Sequence, residues 1–168
     1  MPTMFQDIIQ MPCSGILSVR AKDLTGKEIF AFDDHNMIMT ATKETLAHLV
    51  GGDVMGKSVS HVALGNKSTT PSPDNNSIGG ILTDNLVSGQ NLSAGVICAY
   101  LKSIANHTYP QPGRIMFSWE LDYGEANGLV INEYGLVCSD LTMFARKTRG
   151  TVTKDNGMHI AGQWTIIF

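Results

Sequence analysis

Residues Gly124 to Phe168 read GEANGLVINEYGLVCSDLTMFARKTRGTVTKDNGMHIAGQWTIIF, a stretch with three apolar runs: Leu129–Val137, Thr142–Arg146 and Met158–Phe168. The last run alternates with the period of a β-strand, since one parity carries Ile160, Gly162, Trp164, Ile166 and Phe168. Asp155-Asn156-Gly157 precedes it and predicts a tight hairpin turn, because Asn-Gly tolerates positive φ. We therefore expect the chain to end on a strand inside a sheet, with Phe168 on a buried face.

Composition sets the size and surface character of the protein. The chain has 168 residues, of which 43% are hydrophobic, so one domain, or one domain with an arm, can bury an ample core. Charged residues make up 16%, against roughly 25% in typical domains. So sparse a surface charge suits a protein that packs against neighbours. The net charge of −3 gives no indication of nucleic-acid binding.

Targeting and redox features are also informative. No apolar run approaches the roughly 20 residues of a membrane span, and the first residues lack the basic-then-apolar pattern of a signal peptide. We therefore expect no membrane partner. The three cysteines, Cys13, Cys98 and Cys138, lack metal-site spacing, and their odd number argues against a secreted disulfide framework. Each is interpreted as a small buried hydrophobic residue.

The first third of the chain predicts an arm, a hairpin and a helix. Residues 1–12 hold two prolines and a short apolar patch, which indicates either an arm lying on another surface or a disordered terminus. Gly15–Asp23 and Glu28–Phe32 predict a hairpin with its turn at Gly26, closed by Asp33-Asp34-His35-Asn36. Thr42–Val50 predicts a helix capped by Thr40 or Thr42, with Leu46, Leu49 and Val50 at helical spacing and Gly51-Gly52 at its end.

Further strands complete a mainly β domain. Val59–Leu64, Val96–Ile104 and Arg114–Tyr123 predict strands, residues 66–80 form a polar loop, and residues 81–92 are ambiguous. We expect that loop to be mobile in isolation or ordered only at a subunit contact. About eight strands and one short helix predict a β-sandwich or jelly-roll-like domain over residues 13–168, with residues 1–12 as an N-terminal arm.

One stretch matches a nucleotide-binding motif. Gly51-Gly52-Asp53-Val54-Met55-Gly56-Lys57-Ser58 fits the P-loop pattern letter for letter. A P-loop leaves a strand and enters a helix, so that backbone N–H groups face the phosphates. Here the predicted helix comes first and the predicted strand follows. We therefore interpret the glycines as a helix end and a turn.

No other constellation indicates catalysis or metal binding. The five histidines, His35, His48, His61, His107 and His159, fall in separate elements without zinc-site spacing. Asp33-Asp34 is interpreted as a turn, and nothing selects a glycosidase pair from Asp122, Glu125 and Glu133. Trp119 and Trp164 could stack on sugars, but their strand patterns favour core positions. We predict no catalytic, cofactor-binding or metal-binding residues and no cofactor.

An ordered set of motifs runs along the chain. These motifs are Asn36-Met37-Ile38, His61–Asn66, Thr69–Asp74, Gly124–Gly128, Asn132–Leu136, Phe144–Lys147, Thr153-Lys154 and Gln163–Phe168. Taken together, the set resembles small β-structured virion proteins of tailed bacteriophages, of the tail or fibre-associated type, over roughly residues 13–168.

The resemblance implies a structural assembly protein in a virion, not an enzyme, and transfers no catalytic residues. Its partners would be copies of itself, as a homo-oligomer, and other virion proteins. We expect a tail, neck or baseplate adaptor or collar component. A capsid decoration protein is the alternative, and a carbohydrate-binding module is a second one that exposed, coplanar tryptophans would support.

Overall fold

The computed structural model describes residues 13–53, 55–66, 91–94, 97–140 and 142–168. The predicted arm, residues 1–12, and all but Asn66 of the predicted loop at residues 66–80 lie outside these residues. The described residues form one helix, α1 (Ala41–Val50), and ten strands: β1 (Ser14–Lys22), β2 (Glu28–Ile38), β3 (Val59–Gly65), β4 (Asn91–Ala94), β5 (Ile97–Ser103), β6 (Asn106–Thr108), β7 (Arg114–Leu121), β8 (Val130–Cys138), β9 (Met143–Thr153) and β10 (His159–Ile167).

All ten strands belong to one continuous antiparallel sheet in the order β4-β5-β3-β8-β9-β2-β1-β10-β7-β6. The long strand β2 pairs with β1 along most of its length, whereas Met37 and Ile38 pair with β9. The connection between β5 and β6 also passes from one half of the sheet to the other. The N–H of Ile104 donates to the Ser60 carbonyl of β3, and the N–H of Ala105 donates to the Ser118 carbonyl of β7. The continuous sheet is therefore folded over into two layers, a front sheet (β2, β1, β10, β7, β6) and a back sheet (β4, β5, β3, β8, β9).

The two sheets face each other across a single core. Phe32 of the front sheet meets Tyr134 of the back sheet edge-on, with ring centroids 5.8 Å apart, and Trp119 lies 6.4 Å from the same tyrosine. Leu17, Trp164 and further apolar side chains fill the space between them. The prediction of a mainly β, sandwich-like domain with one short helix is confirmed.

The predicted closure of the first hairpin at Asp33–Asn36 is wrong. Gly26 has φ +82° and forms the β1–β2 turn as predicted, but β2 continues through all four polar residues to Ile38. Asp33 accepts a bond of 2.6 Å from Arg20 of β1, and Asp34 is paired with Arg149 and Lys147 of β9. Cations from both neighbouring strands therefore allow the carboxylates to sit within the strand.

The predicted hairpin at Asn156-Gly157 is also wrong. The turn connects β9 of the back sheet to β10 of the front sheet, and β10 pairs with β1 and β7. The Asp155 carboxylate accepts from the Gly157 N–H at 2.9 Å, a side-chain turn that does not require positive φ. Lys154 is buried here, and its Nζ donates to the Tyr123 and Asp155 carbonyls and to Asn127. These bonds hold the chain where it changes sheet.

Helix α1 forms where predicted, but it buries a different face. Thr42 and Thr45 are its buried residues, while Val50 is 90% exposed. The hydroxyl of Thr42 donates to the Phe144 carbonyl at 2.8 Å, and neither Thr40 nor Thr42 makes a side-chain cap bond. The helix end is as predicted: Gly52 has φ +86°, and the Asp53 N–H bonds back to His48 in a Schellman arrangement.

The terminal strand is largely as predicted. β10 lies between β1 and β7, and Ile160, Trp164 and Ile166 are buried on one face. Phe168 shares their parity but is 42% exposed, so its predicted burial is wrong. Its N–H donates to the Gly113 carbonyl at 2.9 Å, which ties it to the start of β7 at the open end of the sandwich.

Candidate functional site

An apolar cleft of about 790 Å³ opens at the end of the sandwich where β1 and β7 begin and β10 ends. Its floor consists of core side chains, Phe117, Phe144 and Ile166. Leu46 and Leu49 of α1 form one wall, and the β6–β7 connection, residues 109–113, forms the other. We call this feature the apolar cleft.

Local sequence explains both walls of the apolar cleft. Because α1 turns Thr42 and Thr45 inward, Leu46 and Leu49 are left partly exposed along the cleft. The opposite wall follows Pro110-Gln111-Pro112-Gly113, where Gly113 has φ +72° and the Arg114 N–H bonds to the Gln111 carbonyl at 3.1 Å. Two prolines and a closed turn make this wall stiff, because the prolines fix φ.

Aromatic side chains connect the solvent to the cleft floor. Tyr109 is 71% exposed, and its ring meets His107 edge-on at 5.7 Å. His107 in turn contacts the buried Phe117, with centroids 6.2 Å apart. Phe168 adds a second partly exposed ring at the cleft rim. A concentration of exposed aromatic surface beside an open apolar cleft is typical of a docking site.

The charge at the cleft rim is positive. Among the described residues that line it, Lys57 and Arg114 are cationic and none is acidic. Lys57 Nζ lies 3.0 Å from the Asp140 carboxylate just outside the cleft, and this hydrogen bond raises the pKa of Lys57. Arg114 is exposed and forms no ion pair within the described part of the chain. An anionic group on a ligand would therefore find Arg114 available.

A second concave surface of about 490 Å³, which we call the polar face, lies on the outer side of the front sheet. The strand register places Asp33, Ser18, Gln163 and Ser118 side by side across β2, β1, β10 and β7. Hydrogen bonds donated by Arg20 and Ser18 hold the pKa of Asp33 below its usual value. The polar face offers hydrogen bonds to a ligand, but its described lining residues include no phenylalanine, tyrosine or tryptophan.

The P-loop match lies in the wrong structural context for phosphate binding. Gly51 and Gly52 terminate α1, and Lys57-Ser58 leads into β3, so the order is helix, turn, strand as interpreted from the sequence. The helix end nearest the glycines is the carboxyl end, where carbonyl groups repel phosphate. Lys57 is half-buried and paired with Asp140 in the turn between α1 and β3.

The two tryptophans lie in the core, as their strand patterns predicted. Trp164 is fully buried, and its Nε1 donates to Asn36 Oδ1 at 2.8 Å. Trp119 is buried as well, and its Nε1 has no hydrogen-bond partner among the residues that the structure describes. Neither ring is available to stack on a sugar, so the feature that would favour a carbohydrate-binding module is missing from these two residues.

Of the three carboxylates considered as a glycosidase pair, Asp122 and Glu125 are neighbours, since the Asp122 backbone N–H donates to Glu125 Oε2 at 2.8 Å, whereas Glu133 lies in β8. Glu133 is buried in β8 and accepts a 2.8 Å bond from Arg146, while Glu125 lies in the β7–β8 connection and pairs with Lys102. Asp122 is exposed. Asp33-Asp34, predicted to be a turn, lies within β2.

Histidines and cysteines are also dispersed. His35, His48, His61, His107 and His159 lie in β2, α1, β3, β6 and β10, respectively. Cys138 is buried and Cys13 is half-buried at the cleft end of β1, whereas the Cys98 side chain lies outside the description. Over the described ranges, no group of three or more potential ligands is placed to hold a metal.

Sequence reasoning missed the apolar cleft. Its lining comes from α1, the start of β3, the β6–β7 connection and the ends of β9 and β10, which are distant along the chain. A local signal existed in the two threonines on the inner face of α1 and in the Pro-Gln-Pro-Gly turn. Neither could reveal that the two segments face each other.

No protein-family model, curated protein or solved structure matches the chain. Within the described residues, no helix is both long and apolar enough to cross a membrane.

Proposed function

We propose that the protein is a structural assembly protein that binds a neighbouring protein chain in the apolar cleft. The observation that carries the proposal is the combination of an apolar floor with two exposed aromatic rings, Tyr109 and Phe168, at one end of the sandwich. Protein interfaces are enriched in aromatic side chains and poor in charge at their apolar centres, and the cleft combines an uncharged floor with exposed rings at its rim.

The setting that we propose is the virion of a tailed bacteriophage, as the motif resemblance implies. The mainly β fold and the low charge content agree with a subunit that packs among others. A tail, neck or baseplate adaptor is the leading position, and a capsid decoration protein is the alternative. Copy number separates them: a handful or a dozen copies per particle fits the former, and hundreds fit the latter.

The cleft can be tested with a matched pair of variants. Tyr109→Asp places a charge at the aromatic rim, whereas Leu24→Asp places one in the β1–β2 turn at the opposite end of the molecule. The two native side chains are equally exposed, at 71% each. Both variants should keep the wild-type thermal midpoint, because neither residue is in the core.

The readout is incorporation into particles, measured by immunogold labelling and by quantitative protein analysis of purified virions. We expect Tyr109→Asp to lower incorporation strongly and Leu24→Asp to leave it unchanged. Equal incorporation of both variants would remove the cleft from the assembly interface. Absence of the wild-type protein from purified particles would overturn the virion setting itself.

A further inference from the structure

The amino-terminal segment begins beside the apolar cleft. Ser14 of β1 pairs with Ile167 of β10, and the next residue along β10, Phe168, is bonded to Gly113 in the cleft wall. Cys13 is half-buried against the core at this same end. Residues 1–12 therefore leave the domain next to the cleft rim.

The chemistry of residues 1–12 matches the cleft. The segment reads MPTMFQDIIQMP, with apolar Met4, Phe5, Ile8 and Ile9 around the single acidic side chain of Asp7. The cleft offers an apolar floor, aromatic rings and the exposed cation Arg114 at its rim. An extended chain spans about 3.3 Å per residue, so a stretch of the length from residue 4 to residue 12 is long enough, when extended, to bridge roughly 26 Å.

The sequence favours a neighbour's cleft over the chain's own. β1 starts at the cleft end and runs away from it, so a preceding segment that continued the line of β1 would lie beyond the sandwich, and entering the adjacent cleft would require a chain reversal. A proline at position 12 has a fixed φ and disfavours helical backbone at the residue before it, which makes a tight reversal there less favourable. Residues 1–13 contain no glycine or asparagine that could adopt positive φ in a tight turn.

We propose that residues 4–9 of one copy dock in the apolar cleft of a second copy, with Phe5 and the two isoleucines on the floor and Asp7 against Arg114. The proposal deepens the proposed function, because it names the occupant of the same cleft. Each copy then both donates a segment and accepts one, which allows a closed dimer or a ring of subunits.

Complementation between two full-length variants tests the exchange. Phe5→Asp disables the segment but leaves the cleft intact, while Tyr109→Asp disables the cleft but leaves the segment intact. Each variant alone should show roughly tenfold or more weaker self-association in sedimentation experiments, as loss of a central anchor does. Mixed at equal concentrations, the two should form a heterodimer, because the intact segment of one meets the intact cleft of the other.

The control mixture is Phe5→Asp with the double variant Phe5→Asp/Tyr109→Asp, which has no intact segment and should not associate. Failure of the first mixture to associate, with both variants folded, would overturn the exchange and point to docking in the chain's own cleft. The exchange would also be overturned if the Phe5→Asp variant associated with itself as strongly as the wild-type protein does. If particle incorporation then still depended on Tyr109, the cleft would bind a different virion protein, and the proposed function would survive without this inference.

Discussion

Gly162 of β10 and Trp119 of β7 lie directly opposite each other, and the indole occupies the space that a side chain at position 162 would need. A Cβ built on Gly162 would lie 2.2 Å from Cε2 and Cζ2 of Trp119. Trp119 also contacts Tyr134 of the back sheet, so the glycine leaves room for an indole that packs between the two sheets. The glycine is required for packing, not for an unusual φ.

Gly162→Ala should therefore destabilise the protein by about 1–3 kcal/mol, as overpacking of a core typically does. The matched control is Gly150→Ala in β9, where a new Cβ meets nothing within 4 Å. Urea unfolding of the two variants measures the difference. Equal stability of both would show that the Trp119 ring can move aside without cost.

Asn36→Ala should cost about 1–3 kcal/mol, because the buried Nε1 of Trp164 would lose its acceptor. A double-mutant cycle with Trp164→Phe, which removes the donor, isolates the bond from the loss of packing. The Asn36→Ala penalty should shrink in the Trp164→Phe background. A penalty of the same size in both backgrounds would assign the effect to packing alone.

Trp164→Ala should lower stability by about 3–5 kcal/mol, a large part of the roughly 5–15 kcal/mol of a whole domain. Phe168→Ala should cost much less, because that ring is 42% exposed. Deletion of Gln163–Phe168 should give an insoluble product, since β1 and β7 would both lose a partner. A soluble deletion variant with an unchanged thermal midpoint would contradict the central position of β10.

Lys57→Ala should leave ATP binding unchanged, because the P-loop match lies at the carboxyl end of α1 and offers no phosphate cradle. Isothermal titration with Mg-ATP before and after the substitution is the measurement. The control Lys43→Ala changes an exposed lysine of α1 outside the match. Micromolar ATP binding lost in Lys57→Ala and retained in Lys43→Ala would restore the nucleotide interpretation.

Acid should destabilise the protein through Asp140 and Asp34. Burial raises the pKa of Asp140, but hydrogen bonds from Lys57 and Thr142 outweigh it and leave this pKa below normal, and Arg149 lowers that of Asp34. A carboxylate with a lowered folded pKa stabilises fully above its unfolded pKa, about 3.9, and loses this contribution as the pH falls through the folded value. Thermal midpoints should thus drop below about pH 4, and less steeply in Asp140→Asn. Identical acid profiles for the wild type and the variant would exclude Asp140 as a contributor.

The sequence pattern correctly predicted the strands in which apolar and polar residues alternate. β10 and β7 were located correctly because each buries one face, and Trp119 and Trp164 follow that period into the core. The extent of β2 could not be predicted, because the cations that accommodate Asp33 and Asp34 come from β1 and from the distant strand β9. The Asn156-Gly157 hairpin failed because β10 pairs with strands remote in sequence.

The apolar cleft was harder to predict from the sequence than the strands. Thr42 and Thr45 look like an outer helix face in isolation, but Thr42 donates to the Phe144 carbonyl of β9 and Thr45 bonds to Cys138 of β8. With the threonines facing inward, Leu46 and Leu49 form a wall of the cleft. The buried side of this short helix therefore depends on partners that are distant in the sequence.

The pairing of β1 with β10 also governs when the fold can form during synthesis. Ser14 pairs with Ile167, so the front sheet has a gap at its centre until β10 has left the ribosome. Contacts so distant in sequence slow folding, and the apolar inner face of β1 must remain protected meanwhile. The β1–β2 hairpin can form early, but the edge of β1 that faces away from β2 stays unpaired until β10 is available. Premature termination anywhere before β10 would therefore release a chain with an open, apolar sheet edge, and in a host cell such chains are substrates for chaperones and proteases.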